Sequence, residues 1–313
     1  MSDLGRLDEA AAAYEESIRR TEKLGDKRQG AVNKVQFGTV RLRQQRYADA
    51  LASYIEAHDV FTTLSEPSQV AITWHQIGMV HKEAGQFDQA EQAYRQSLAM
   101  RVQQKNPADE ADSLGELGNL YDDMGRLEEA VIFSRQAAEI YVKLQNLARE
   151  GFTCNNLANT LTKLQRYDEA RRELLRAVEC DKPYGHAAEP WKTWDILHDL
   201  ERATGNLQAA HEAWQQAVQS YLAYRRDGGE NHNPGAKRCA AVAQAIQNSN
   251  TAEVEQALAA ASGAANTPSW LRVLIPKLQA VLKGNRDPAL AADPSLDYDD
   301  AAELQLLLER LGA

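Results

Sequence analysis

The sequence predicts an all-α chain made of repeated helix pairs stacked into a solenoid and closed by a helical cap. Three observations predict it. First, a six-residue string returns at a fixed interval: GRLDEA at 5–10, QRYADA at 45–50, GQFDQA at 85–90, GRLEEA at 125–130, QRYDEA at 165–170 and, weaker, GNLQAA at 205–210. The interval is 40 residues each time, with no insertion. Second, Ala, Leu, Glu, Gln and Arg dominate, while Gly (18) and Pro (9) are sparse among 313 residues; this is a helix-forming composition. Third, small and bulky residues recur four and then three positions apart inside each unit, which places them on one helix face.

Taken in order, each unit contains a turn and then a second helix. A bulky residue opens that helix at Leu7, Tyr47, Phe87, Leu127, Tyr167 and Leu207. Acids that follow, such as Asp8, Asp88 and Glu128, suit the positive end of the helix dipole. A small residue at Ala10, Ala50, Ala90, Ala130, Ala170 and Ala210 marks a close approach of two helices. Seven positions on, the column is small again, and between the two lies a large knob: Tyr14, Tyr54, Tyr94, Leu174 and Trp214, with Ser134 the exception. Upstream of each turn a first helix reads Trp74, Ile77, Gly78, His81 in the third unit, Leu114, Leu117, Gly118, Tyr121 in the fourth, and Cys154, Leu157, Ala158, Leu161 in the fifth. Turns are expected near Gly5, Gln45, Gly85, Gly125, Gln165 and Gly205. The first unit shows only its second helix, leaving Tyr14 and Ile18 partly uncovered, and Met1 is read as the start of a shortened piece of a longer protein.

These columns form the pattern W-x2-L-G-x2-Y, then Ala, then an aromatic, then Ala, over about residues 1 to 222. The pattern resembles the tetratricopeptide repeat. The resemblance implies a right-handed α-solenoid that binds a polypeptide and carries out no catalysis. The unit of 40 residues exceeds the family norm of about 34 and resembles the extended repeats of kinesin light chains and bacterial regulatory proteins. The stretch Asn155-Asn156-Leu157-Ala158 matches the N-N-L-A of those repeats.

Domain boundaries follow at 1–226 for the array and 227–313 for a helical C-terminal cap. The register breaks at DGGENHNPG (227–235), a run of turn formers. Beyond it, helices are expected near 236–247, 252–261, 268–282 and 298–311, with a loop at 288–294. The stripes Trp270, Leu271, Leu274, Leu278 and Leu304, Leu307, Leu308, Leu311 would pack this tail on the sixth unit.

Chemistry is sparse. A net charge of −10 argues against nucleic acid, no run of about 18 apolar residues argues for a membrane span, and Cys154, Cys180 and Cys239 have no metal-binding spacing. A cytoplasmic setting is expected, with no cofactor, no metal and no catalytic residue. No phosphate-loop, dinucleotide, zinc-protease or nucleophile-elbow string occurs. Cys154 lies in the core column of Trp74, Leu114 and Trp194 and reads as a buried inert thiol. The adjacent acids Asp122-Asp123 and Asp299-Asp300 read as solvated surface.

In the family the first helices line a concave groove. By that resemblance the candidate peptide-binding residues are His75, Gln76, Met79 and Lys82; Glu116, Asn119 and Asp122, with Gly115 beside them; and Asn155, Asn156, Asn159 and Lys163. Asp195, Asp199 and Arg202 continue the series. An amide offers both a donor and an acceptor, so it can hold a peptide backbone whatever its side chains, and mid-helix Asn lowers helix propensity without structural return. Lys163 is expected on one side of the groove, with Glu116 and Asp122 on the other. The resemblance further suggests the sensor or scaffold part of a bacterial signalling or defence protein with an upstream ATPase or effector domain. A stand-alone adaptor or chaperone-like scaffold, or an enzyme with an unfamiliar site in the last 80 residues, are the alternatives, and the oligomeric state is left open.

Overall fold

Forty residues are two helices of 17 and two connections of three, and the chain keeps to this arithmetic over most of its first half. The computed structural model describes residues 3–264 and 266–312, and no strand occurs among them. The chain divides into two compact units, Met1–Arg166 and Tyr167–Ala313.

The first unit holds α1 (Asp3–Leu24), α2 (Lys27–Arg43), α3 (Tyr47–Thr63), α4 (Pro67–Glu83), α5 (Phe87–Gln103), α6 (Pro107–Asp123), α7 (Leu127–Lys143) and α8 (Leu147–Lys163). Helices α2 to α8 are each 17 residues long. Each ends in the same way. At the end of α2, the Gln45 N–H donates to the Leu42 carbonyl at 2.8 Å and the Arg46 N–H to the Arg41 carbonyl at 2.8 Å, with Gln45 left-handed at φ 59°. That is the Schellman closure, which satisfies carbonyls the helix leaves open. The left-handed position recurs at Gly25, Gln45, Ser65, Gly85, Lys105, Gly125, Gln145 and Gln165. Openings differ by helix type. Asp26, Asn106 and Asn146 cap α2, α6 and α8 with a side-chain oxygen, and Pro67 and Pro107 stand in the first turns of α4 and α6.

Gly5 does not mark a turn, contrary to expectation: it lies within α1, because the chain is already helical at Asp3. Tyr14 and Ile18 are half-buried on this first helix, whereas the equivalent Tyr54 and Tyr94 are wholly enclosed. The small column behaves as its spacing implies. Ala50, Ala90 and Ala130 are fully buried, and a Cβ added at Gly78 would stand 2.6 Å from the Tyr94 ring. Glycine at 78 is therefore what lets the ring lie flat against α4.

The second unit holds α9 (Tyr167–Asp181), α10 (Pro190–Ala203), α11 (Leu207–Arg226), α12 (Pro234–Gln247), α13 (Ala252–Gly263), α14 (Ser269–Leu282) and α15 (Tyr298–Arg310). The 17-plus-3 rule lapses here: α9 runs into a 3-10 segment at Lys182–Ala188, and the left-handed residue before α10 is Glu189. The tail helices lie where the apolar stripes put them, and they pack on the sixth repeat. Trp191, Trp214 and Tyr221 share one core with Leu271, Leu274, Leu278, Leu304, Leu307 and Leu308. The Trp214 indole N–H donates to the Leu296 carbonyl at 2.8 Å, and Arg225 forms an ion pair with the nearly buried Glu303. Within this unit the loop expected at 288–294 contains a short 3-10 turn at Pro288–Leu290.

Candidate binding groove

Two neighbouring cavities lie along α4, α6 and α8, the first helices of three successive repeats. The larger, about 460 Å³, is lined by Lys82, Asn119, Asp122, Asp123, Asn156, Asn159, Thr160, Thr162 and Lys163. The other, about 140 Å³, has walls from His75, Arg101, Asp112, Gly115, Glu116, Asn119, Ser134, Tyr141, Arg149, Phe152, Thr153 and Asn156. Asn119 and Asn156 belong to both. The Asn156 side-chain N–H donates to the Asn119 carbonyl at 3.1 Å. The pair still offers the Asn119 amide protons and the Asn156 carbonyl oxygen.

The expected charge arrangement is corrected. Lys163 does not face Asp122 across the groove; the two form an ion pair, and Thr160 donates to the same carboxylate at 2.9 Å. Lys82 pairs with Asp123 at 3.3 Å. Both acids thus join the links between successive first helices: Asp122 is half-buried there, while Asp123 stays exposed at the surface as expected. The register explains this: Asp122 sits 41 residues before Lys163, one repeat and one position.

Several expected residues have other partners. Gln76 accepts from the Tyr54 hydroxyl at 3.3 Å, and Met79 packs against the core around Tyr94 and Leu117. Asn155 is half-buried and lines neither cavity. His75 does line the smaller one, and burial, assisted by the Arg101 charge, lowers its pKa to about 4, so it is neutral at pH 7. Its Nδ1 has no hydrogen-bond partner and its ring lies 5.6 Å from that of Tyr94. Burial raises the pKa of Glu116, with the nearby Asp112 adding to the effect and Lys82 opposing it.

Sequence reasoning missed the second-helix contribution. Arg101 occupies the column of Phe61 and Tyr141, is 6% exposed, and donates to the Asp109 carbonyl at 2.8 Å and the Ser113 hydroxyl at 2.9 Å. Burial lowers its pKa. Tyr141 donates to Asp112 at 2.6 Å, and Phe152 stands 59% exposed at the rim. A charged residue in an aromatic column was the signal available, since a buried charge requires partners.

The second unit contains a separate polar cavity of about 260 Å³, lined by Asp195, His198, Asp199 and Arg202 of α10 together with residues 294–299 and Trp214. Burial, then the charges of Asp199, Asp297 and Asp299, raise Asp195 to about 6. Asp300 is 4% exposed, so it is not the solvated residue expected; burial and its acidic neighbours raise it to about 7.

Comparison with known proteins bears on this architecture. The tetratricopeptide repeat signature matches residues 31–103 and 69–143, and a second form of it matches 153–180. No curated protein matches the chain by sequence. Among solved structures, BtubC (BKLC) from P. vanneervenii superposes with a TM-score of 0.64 at 18% identity, over 73% of this chain and 94% of that one. Repeats of a putative kinesin light chain from Podosopora anserina give 0.54 at 16%, over 62% and 95%. A Signal Transduction ATPase with Numerous Domains (STAND) protein with a tetratricopeptide repeat sensor, from Pyrococcus horikoshii, gives 0.59 at 13%, over 94% of this chain and 43% of that one. At such identities the likeness is one of fold. Repeat signature, helix pairing and the small-residue columns agree, and residues 31–143 and 153–180 are tetratricopeptide repeats.

Proposed function

We propose that this chain recognises an extended polypeptide along the face formed by α4, α6 and α8, and that it does no chemistry of its own. The observation that carries the reading is the Asn119–Asn156 pair, shared by two adjoining cavities and retaining both donors and an acceptor. Asn159 and Lys82 extend the same polar lining toward one end, and His75 and Glu116 toward the other. A peptide backbone laid there would exchange hydrogen bonds with the amides, and the raised-pKa Glu116 beside Asp112 would favour a basic side chain. In this reading residues 1–226 are the array and 227–313 its cap. The likeness to a STAND protein with a tetratricopeptide repeat sensor supports a sensor role within a larger signalling protein. A stand-alone scaffold is the other reading, favoured if the natural reading frame opens at Met1.

The test uses a displayed library of random peptides selected on the full chain, followed by titration of the best binder. Each net hydrogen bond contributes about 0.5–1.5 kcal/mol. Asn156→Ala with Asn159→Ala should therefore weaken binding about tenfold while the thermal melt stays put. Equal affinities for parent and variant would place the site on another face.

A further inference from the structure

We infer that the start of α15, facing the polar cavity of the second unit, binds a hard divalent cation of calcium size through Asp297, Asp299 and Asp300. One carboxylate oxygen from each of the three lies within 4.8 Å of the others. Acids in the first turn of a helix are ordinary, because they meet the positive end of its dipole. That explanation does not cover the whole arrangement. Asp297 stands at the N-cap, where an Asp would accept a backbone N–H, yet its side chain makes no cap hydrogen bond. Asp300 is 4% exposed, and its carboxylate has no hydrogen bond or ion pair among the described residues. A buried carboxylate without a partner, held against two others, must take up either a proton or a cation.

Two further features fit an ion. Asp299 is already oriented: its carboxylate accepts the Asp300 N–H at 3.0 Å and the Asn233 side-chain N–H at 2.6 Å, the kind of outer contact that fixes a ligand. Independently, α10 contributes His198, which stands where earlier repeats have Gly38, Gly78, Gly118 and Ala158. It is 6% exposed, and its Nδ1 bonds to the Ala210 carbonyl at 2.8 Å. A carbonyl can only accept, so Nδ1 is the donor in this bond. His198 lines the same cavity as Asp297 and Asp299, with Asp195 and Asp199 beside it. Calcium takes about six to eight oxygen ligands and commonly keeps waters among them. The three carboxylates supply the protein ligands, and the cavity wall supplies acceptors for the protons of bound water.

Terbium, a luminescent ion of calcium size, tests this on the full chain, because Trp214 lines the cavity and can sensitise its emission. Saturable emission, displaced by CaCl2, is expected, together with a CaCl2-dependent rise in melting temperature. Asp297→Asn with Asp300→Asn should weaken terbium binding at least tenfold and abolish the calcium shift, while the metal-free melt stays equal or rises as like charges are removed. If the double variant does not fold, the exposed Asp297→Asn alone should weaken binding at least threefold. Emission that does not saturate, or equal affinity in the folded variant, overturns the assignment.

Discussion

Position 78 shows how little room a single residue has in this protein. Gly78 lies on α4 with the fully buried Tyr94 ring 2.6 Å from where a Cβ would be, far inside van der Waals contact. Gly78→Ala should cost about 1–3 kcal/mol through overpacking, read as a lower urea midpoint with an unchanged slope. His75 offers a second test. Its folded pKa of about 4 lies below the ordinary histidine value of 6.5. The folded state therefore holds fewer protons than the unfolded state between those values. The stability associated with neutral His75 is present above pH 6.5 and is lost as pH falls toward 4, by at most about 3 kcal/mol. His75→Gln should flatten that part of the stability profile, as measured by denaturant titration at pH 7 and pH 5. The residue scale is also where the sequence was hardest to read. The amide ladder was visible from Asn119, Asn156 and Asn159. The ion pairing of Lys163 with Asp122 was not, because neighbouring first helices meet at a spacing of about 40 residues and a helix-by-helix reading sees only spacings of three and four.

At the scale of the element, the helices were legible because periodicity and punctuation agreed. Leu7, Tyr47, Phe87 and Leu127 foretold second helices, and three of these open where they were expected, at Tyr47, Phe87 and Leu127. The turns midway through each period were harder to see, since Ser65, Lys105 and Gln145 adopt positive φ without being glycine. A left-handed conformation costs a non-glycine residue on the order of 1 kcal/mol, partly offset by glycine's larger loss of chain entropy. Lys105, at φ 54°, closes α5 with the same bond pattern that Gly85 and Gly125 use. Lys105→Gly should raise stability by a few tenths to about 1 kcal/mol, detectable as a higher melting temperature. An unchanged or lower melt would show that the lysine side chain has an offsetting role there.

For the molecule as a whole, stacked repeats couple mainly to their neighbours, so damage should stay local. Ala130, fully buried, stands where α6 and α7 meet. Ala130→Leu should destabilise by about 1–3 kcal/mol, and hydrogen exchange should rise chiefly in α4 to α8. Amides of α14 and α15, which belong to the other compact unit and its own core, should keep their protection. Equal loss in both would mean the chain unfolds as one block. The tail was legible as four helices but not as a polar cavity, because Asp297 and Asp299 come beside His198 and Asp195 only through the fold.

The regular beat of left-handed residues has a consequence for how the chain can change length. Gly85 and Gly125 have φ of 71° and 72° and are flanked by the same pair of closing bonds. Cutting out 86–125 would join Gly85 directly to Arg126, so the new seam would repeat a junction the backbone already makes. The loss of a whole repeat is thus, for the local geometry, no change at all, whereas the loss of one residue inside a helix would turn the rest of that helix by about 100° away from its neighbours. A gene coding for such a chain can lose or gain 40 codons at this seam without altering the local junction, and on the proposed reading that step would change the length of the groove by one repeat.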